Sequence, residues 1–478
     1  MKPQTILLIG IVSVVGFSIL VVSSAFDLNP KWLIVFMMIL AGGLFLSMVK
    51  EREEYILRLM IFLIPFELGA FYTWILKVDL IFAFDVFLFF LYCIWLFRTH
   101  GFREEKINFG KVSWPTIGII LWSIVSIFPA ISQRAAIFGV FMTVKAFMLY
   151  LYIINNITTK KRLQIVVNWL IIGLSIQVAL GIVQKTLHTN FGFEALGAPR
   201  WYWYSSLSRV TGTLGFPNQY GAYLILLLPL AASLFIFYKK SLPKIWYGGI
   251  VVAGGIALIF SLSRSSWIGL IGAILIIIGI MIKRRKLNSK LVFTTVLVVL
   301  IIVIIGIVYR DLIMLRLETG GKGEYRLLMI DIALPIIANN PIFGVGLNNY
   351  QYHSFSIFKF WHPVHNTYLR LAAEVGLPGL FFFLWFVFNI LREAYRGLKL
   401  KDEYLNAVAL GVIGGLWAFL IAVNFGPQYQ HYRQKCIFWL LAGLAVTLKR
   451  INKMEIIRKQ RNQTKKQYLA QKLSPLKK

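Results

Sequence analysis

The sequence predicts an all-α polytopic membrane protein of about 12–14 transmembrane helices. Three observations predict it. Of 478 residues, 58% are hydrophobic and only 14% charged, and mean hydropathy is +0.73. Soluble domains run at about 45–50% apolar and about 25% charged, so disordered, collagen-like and soluble multidomain readings are excluded. The apolar residues also gather into runs close to the ~20 that cross a bilayer core. Finally, 50 Lys+Arg oppose 19 Asp+Glu, a net charge of +31. In a soluble protein that excess would suggest nucleic acid; in a membrane protein it marks the loops that face the cytoplasm.

Fourteen runs are expected to span, at about 5–24, 32–49, 55–76, 79–97, 113–131, 136–154, 164–184, 218–238, 245–262, 265–282, 290–308, 367–391, 404–424 and 434–449. The first ends in Ser23, Ser24 and Ala25, as a cleaved signal peptide would, but its apolar stretch exceeds a usual h-region. It is read as an uncleaved span. With the N-terminus inside, 34 of the 50 basic residues fall on cytoplasmic segments, including 50–58, 98–111, 160–162, 239–244, 283–290, 392–401 and the tail from Lys449. The alternation holds over all fourteen runs, which places both termini inside. One polytopic domain over 1–448 and a basic cytoplasmic tail over 449–478 are expected.

Two external segments stand out for length, about 185–217 and 309–366. In the second, Leu327, Ile330, Leu334 and Ile337 recur at helical spacing, as in a helix lying in the membrane interface or packed on the bundle. Asn339-Asn340-Pro341 then predicts a turn. GVGLNNY after it has neither the strand–helix context nor the Lys-Ser/Thr of a nucleotide loop. Cys93 and Cys436 sit in or beside apolar runs, which speaks against a disulfide scaffold or a zinc site. No internal repeat of the kind that builds transporters is visible.

Ionisable groups at a bilayer are costly and become functional candidates. Arg264 lies in SLSRSSW, collared by Ser261, Ser263, Ser265 and Ser266. It is either a snorkelling arginine or an anion-binding one whose planar fork suits phosphate. Arg326 follows Glu324 at the start of the loop helix, as a salt-bridge partner or a second anion ligand. Arg209 precedes VTGTLGFPNQYGAYL, and His365 precedes Asn366, Thr367 and a span. A histidine of ordinary pKa near 6.5 suits a general base. His362 and His365 are three apart, but Pro363 lies between them and no carboxylate pair is near, so a metal reading is weak. His353 and Glu374 are alternative acid–base groups. Lys145, Glu67 and Asp85 lie inside spans, where they could pair as packing or gating groups. The aromatics WYWY at 201–204 and Trp361 fit an interfacial belt or a platform for sugar rings.

Four segments, RVTGTLGFPNQYGAYL (209–224), SLSRSSWIGL (261–270), EYRLLMIDIALPIIANNPIFGVGLNNY (324–350) and HNTYLRLAAEVGLPGLFFF (365–383), carry a resemblance. Over about 165–450 the chain resembles the O-antigen ligase/O-antigen polymerase superfamily of membrane glycosyltransferases. The resemblance implies a GT-C-type bundle in the cytoplasmic membrane with its active site on the periplasmic or extracellular face. It implies transfer of a glycan from an undecaprenyl-diphosphate carrier to a glycan or lipid-linked acceptor, with no nucleotide sugar, cofactor or metal. It also implies roles: Arg264 and Arg326 hold the diphosphate, His365 acts as general base, and Arg209, Asn366, Tyr368 and Trp361 bind substrate. Membrane lipids are the expected surroundings, and nucleic acid is not an expected partner. An anion transporter is the alternative function, because a basic outer site could bind bicarbonate-like anions. A non-catalytic scaffold for polysaccharide assembly is a third reading. Clustering of the candidates on one face favours chemistry at the surface over either.

Overall fold

The computed structural model describes residues 51–66, 69–73, 78–101, 107–188, 208–237, 241–283, 306–319, 323–359, 361 and 363–473. The runs expected at 5–24 and 32–49, most of 290–308, the cluster at 201–204, Glu67 and His362 lie outside them. The described part is a helical bundle. Its first elements are α1 (Arg52–Leu63), the strands β1 (Gly69–Thr73) and β2 (Val78–Phe82), α2 (Ala83–Gly101), α3 (Gly110–Val125), α4 (Gln133–Asn156) and α5 (Lys160–Leu187). Then come α6 (Pro217–Phe237), α7 (Ser241–Phe260), α8 (Arg264–Lys283), α9 (Arg310–Thr319), α10 (Gly323–Asn339) and α11 (Tyr350–Phe358). The chain continues through α12 (Thr367–Gly397), α13 (Glu403–Ala422), two single 3₁₀ turns at Val423–Phe425 and Gln428–Gln430, and α14 (Tyr432–Leu473).

Among the described residues, seven helices are long and apolar enough to cross a membrane: α4 to α8, α12 and α13. Each coincides with an expected run. The run at 55–76 does not form one span. Helix α1 stops at Leu63, and an antiparallel hairpin pairs Gly69 with Phe82 and Thr73 with Val78. Pro65 explains the stop, since proline has no N–H to continue the ladder, and its carbonyl instead accepts from Thr213 Oγ1 at 3.0 Å. The span expected from 79 accordingly begins only at Ala83, after β2. The last expected run and the basic tail as far as Leu473 form one continuous helix, with no break at Lys449.

The centre of the bundle is α6 packed on α13, with α8 also packed against α13. Both α6 and α13 are almost wholly buried. Close approach without a hydrophobic drive between helices needs small residues. At Gly415 a Cβ would come within 2.1 Å of the Leu226 carbonyl oxygen.

The loops expected in the cytoplasm converge at one end. Glu53 accepts from Arg98 at 3.0 Å, from Arg162 at 2.8 Å and from Tyr152 Oη at 3.2 Å. Lys160 and Asp402 pair at 2.5 Å, and Arg450 donates to the Ile154 carbonyl at 3.1 Å. The segment 208–217, the starts of α8 and α12, and the 3₁₀ turns lie at the other end.

Candidate active site

At that second end, non-helical backbone enters the bundle and must find partners away from water. Two buried glutamines of α5 supply them. Gln184 Oε1 accepts from the backbone N–H of Gly212 (2.9 Å) and Thr211 (3.2 Å), and Gln177 Oε1 accepts from that of Thr213 (3.1 Å). This anchors the stretch that carries Arg209. The Arg209 guanidinium donates to the carbonyls of Ser261 (3.0 Å) and Leu262 (3.3 Å) and to Asn218 Oδ1 (2.9 Å). Those carbonyls form the tight turn between α7 and α8, where Leu262 is fully buried with φ 49°. A branched residue in the left-handed region is strained. Arg209 therefore clamps the turn that presents Arg264.

Arg264 opens α8 and is half-buried. Its serine collar is bonded in place: Ser263 Oγ lies 2.9 Å from Ser266 Oγ, and Ser261 Oγ donates to the Leu258 carbonyl at 2.6 Å. Gln428 Nε2 donates to Ser265 Oγ at 3.2 Å. Two residues on, Gln430 Oε1 accepts from Thr367 Oγ1 at 3.4 Å, and the same hydroxyl is 3.2 Å from the Gly426 carbonyl. The 426–430 segment thus ties the start of α8 to the start of α12, where His365 stands. His365 is half-buried, its Nδ1 3.1 Å from the Pro363 carbonyl. Asn366 caps α12, its Oδ1 accepting from the N–H groups of Tyr368 (2.9 Å) and Leu369 (3.0 Å). Tyr368 Oη donates to the Leu420 carbonyl at 2.9 Å.

Arg326 stands in the first turn of α10, and its side chain lies outside the described residues. Helix α10 packs on the bundle through Met329, Ile332, Ala333 and Ile336, against Val364 and Ala373. Of the expected stripe, Ile337 packs against the same cluster. Leu327 and Leu334 are exposed, at 62% and 51%, so the helix is apolar on two sides and the leucines point outward. The predicted turn follows at 341–343.

The glycine motifs of 341–346 and 374–379 explain one another. Helix α12 is broken at Gly376 (φ 70°, ψ 178°). The groups freed there bond the preceding loop: Val345 N–H to the Ala373 carbonyl (2.9 Å), Gly346 N–H to that of Glu374 (2.8 Å), and Leu377 N–H to that of Pro341 (2.7 Å). A Cβ at Gly376 would lie 2.1 Å from the Ile342 oxygen. The docked loop then places Asn349, whose amide exchanges two bonds with the Ser132 backbone at 2.7 and 3.0 Å.

Between α4, α12 and the segment 429–435 lies a cavity of about 650 Å³. Of the expected site residues whose side chains are described, only Trp361 lines it, at the mouth, where it is 48% exposed and lies edge-on to Tyr352. Inside are Arg370, Glu374, His431, Arg433 and Lys435, of which sequence reading singled out only Glu374. Arg370 Nε meets Glu374 Oε1 at 2.8 Å in a buried pair, and Arg433 donates to the Thr213 carbonyl at 2.8 Å. Lys435 is buried with its Nζ 5.2 Å from the Tyr429 ring centroid. His431 Nδ1 accepts from Gln219 Nε2 at 2.9 Å. Burial, then the charges of Arg370, Arg433 and Lys435, push its pKa down to about 3. The signal that could have exposed this group was the run HYRQK at 431–435, a cation cluster at the expected outer edge of the last span. Near the cavity, Lys145 and Asp85 pair at 2.5 Å, with Tyr432 Oη 2.7 Å from Asp85. This joins two of the three groups expected to pair inside spans. Among the described residues no group of three His, Cys, Asp or Glu side chains could hold a metal.

Residues 249–384 match the family model described as O-antigen ligase. Over that stretch the chain is similar to the O-antigen ligase family. The matched stretch runs from α7 to the first half of α12, so it contains Arg264, Arg326, His365, Arg370 and Glu374. Arg209, His431, Arg433 and Lys435 stand outside it. No curated protein matches the chain. The match supports glycan transfer by a ligase or a polymerase.

Proposed function

We propose that the protein transfers a glycan from an undecaprenyl-diphosphate carrier to an acceptor sugar on the outer face of the cytoplasmic membrane, with inversion and without a metal. One observation carries this reading. The ligase-family stretch contains Arg264 and His365, and the 426–430 segment holds their two elements at one end of the bundle. Arg326 enters on α10, packed beside His365 through Val364.

The chemistry follows from donor and acceptor roles. The Pro363 carbonyl beside His365 Nδ1 can only accept, so Nδ1 carries the proton and Nε2 keeps its lone pair. Nε2 takes the proton of the acceptor hydroxyl as its oxygen attacks the anomeric carbon. The bond to the diphosphate breaks on the opposite face, and Arg264 with Arg326 stabilises the departing charge. Arg209 acts through the turn it clamps, as a positioning residue. Asn366 and Tyr368 set the start of α12, and Trp361 offers a face to a sugar ring.

The test is transfer by purified protein in lipid bilayers, with lipid-linked oligosaccharide as donor. His365→Ala and Arg264→Ala should each reduce transfer by at least ~10²-fold, the scale of losing one transition-state contact. Full activity in both variants, inserted and folded, sinks the proposal. Deletion of the gene separates the two branches. Accumulated single repeat units indicate a polymerase, and carrier-bound full-length polymer indicates a ligase.

The transporter alternative needs a path through the bundle. Beyond Lys435 the interior is filled by Tyr150, Phe386 and Trp439, all fully buried, with Phe386 stacked on Trp439 at 4.4 Å. That floor supports chemistry at the outer end.

A further inference from the structure

The cavity beside the proposed active site has an unusual charge balance. Three cations line it, Arg370, Arg433 and Lys435, against one carboxylate among the described residues, Glu374, which is bound to Arg370. Arg433 and Lys435 occupy the first turn of α14. A helix N-terminus is its positive end, where cations are disfavoured and anions are stabilised. Both side chains are also buried, 6% and 8% exposed. Taking a cation out of water costs several kcal/mol unless a counter-charge offsets it. Among the described residues Lys435 makes no ion pair; its ammonium faces the Tyr429 ring. An anion of suitable size would be stabilised by both cations and by the helix end. The space is there: about 650 Å³, enough for one or two sugar rings and lined with aromatic side chains. Its mouth carries Trp361 and Phe216, 48% and 44% exposed.

We propose that this cavity is a glycan subsite that reads an oxyanion on the sugar chain, a carboxylate or a phosphate substituent, through Arg433 and Lys435. It rests on the glycan-transfer reading and gives the substrate a class, an acidic glycan. The sugar rings stack at the aromatic mouth, and the anionic substituent reaches inward to the two cations. The carrier diphosphate is left to Arg264 and Arg326 outside.

The experiment uses the full chain in lipid nanodiscs, with binding read from tryptophan fluorescence. The probes are a uronic-acid disaccharide, the neutral disaccharide of the same linkage, a disaccharide phosphate and farnesyl diphosphate. The acidic disaccharide or the sugar phosphate should bind at least ~10-fold more tightly than the neutral sugar, about 1.4 kcal/mol. Whichever of the two is preferred names the substituent. Lys435→Gln should collapse that preference to within ~3-fold. Equal binding of all three sugars by wild-type protein overturns the proposal without any variant. So does displacement of the bound sugar by farnesyl diphosphate but not by the acidic disaccharide, which would make the cavity a carrier site. Charge discrimination without any glycan transfer supports the subsite and overturns the transferase reading. Transfer of acidic and neutral chains at equal rates, with no discrimination in binding, does the reverse.

Discussion

Burial, reinforced by the surrounding cations, favours the neutral form of His431, and this gives the protein an acid limit. Its pKa, about 3, lies well below the ordinary value near 6.5. The unfolded chain therefore takes up the proton first as pH falls. The contribution to stability is intact above about 6.5 and declines as pH drops from there toward 3. The unfolding temperature of the purified protein should fall between about pH 7 and pH 4.5, and His431→Gln should flatten that slope. An unchanged slope in the variant would remove His431 as its cause. Arg209 offers a second prediction at this scale. Its fork bonds two carbonyls of a strained turn and Asn218 at once, a geometry that lysine's single ammonium cannot reproduce. Arg209→Lys should lower transfer about 10-fold through misplacement of Arg264, with donor affinity little changed.

Among the elements, α12 is the one whose irregularity is built in. A straight helix through 367–397 would satisfy its own backbone and leave the 341–346 loop without partners. The break at Gly376 hands the Ala373 and Glu374 carbonyls to that loop, which then fixes Asn349 against α4 and shapes the cavity wall. Gly376→Ala should destabilise the protein by about 1–3 kcal/mol, the usual scale for forcing a side chain into a strained backbone region. Gly279→Ala on α8, where an added Cβ meets nothing within 4 Å, should be neutral or slightly stabilising. Thermal unfolding of the two variants side by side checks this; equal effects would mean the break is not under tight steric control. The motif glycines were visible in the sequence, but their partnership was not, because the two segments are some thirty residues apart and are joined by backbone hydrogen bonds.

Across the whole molecule, charge and chemistry are segregated to opposite ends. Glu53 gathers Arg98 and Arg162 at one end, while the arginines and histidines of the candidate site lie at the other. The positive-inside rule predicts that the first end faces the cytoplasm. Labelling in right-side-out vesicles tests this. Lys359→Cys, on the segment expected outside, should react with a membrane-impermeant maleimide, and Lys161→Cys should react only after permeabilisation. The opposite pattern would reverse the orientation and move the candidate site inside.

Composition and apolar run length were enough to establish a polytopic helical membrane protein, because a bilayer imposes its requirement on every span separately. Local motifs were enough to nominate Arg264, Arg326 and His365, since each stands where an apolar run meets a polar turn. The hairpin at 69–82 was hidden by its own hydrophobicity, which reads the same for strand and helix in a short run. The cation cavity was hidden for a different reason. Arg370 looked like a residue within a span, and Arg433 and Lys435 like the fringe of another. Only the packing of α12 beside α14 turns three scattered charges into one buried group, because their significance lies in distance through space and loss of water, neither of which is written along the chain.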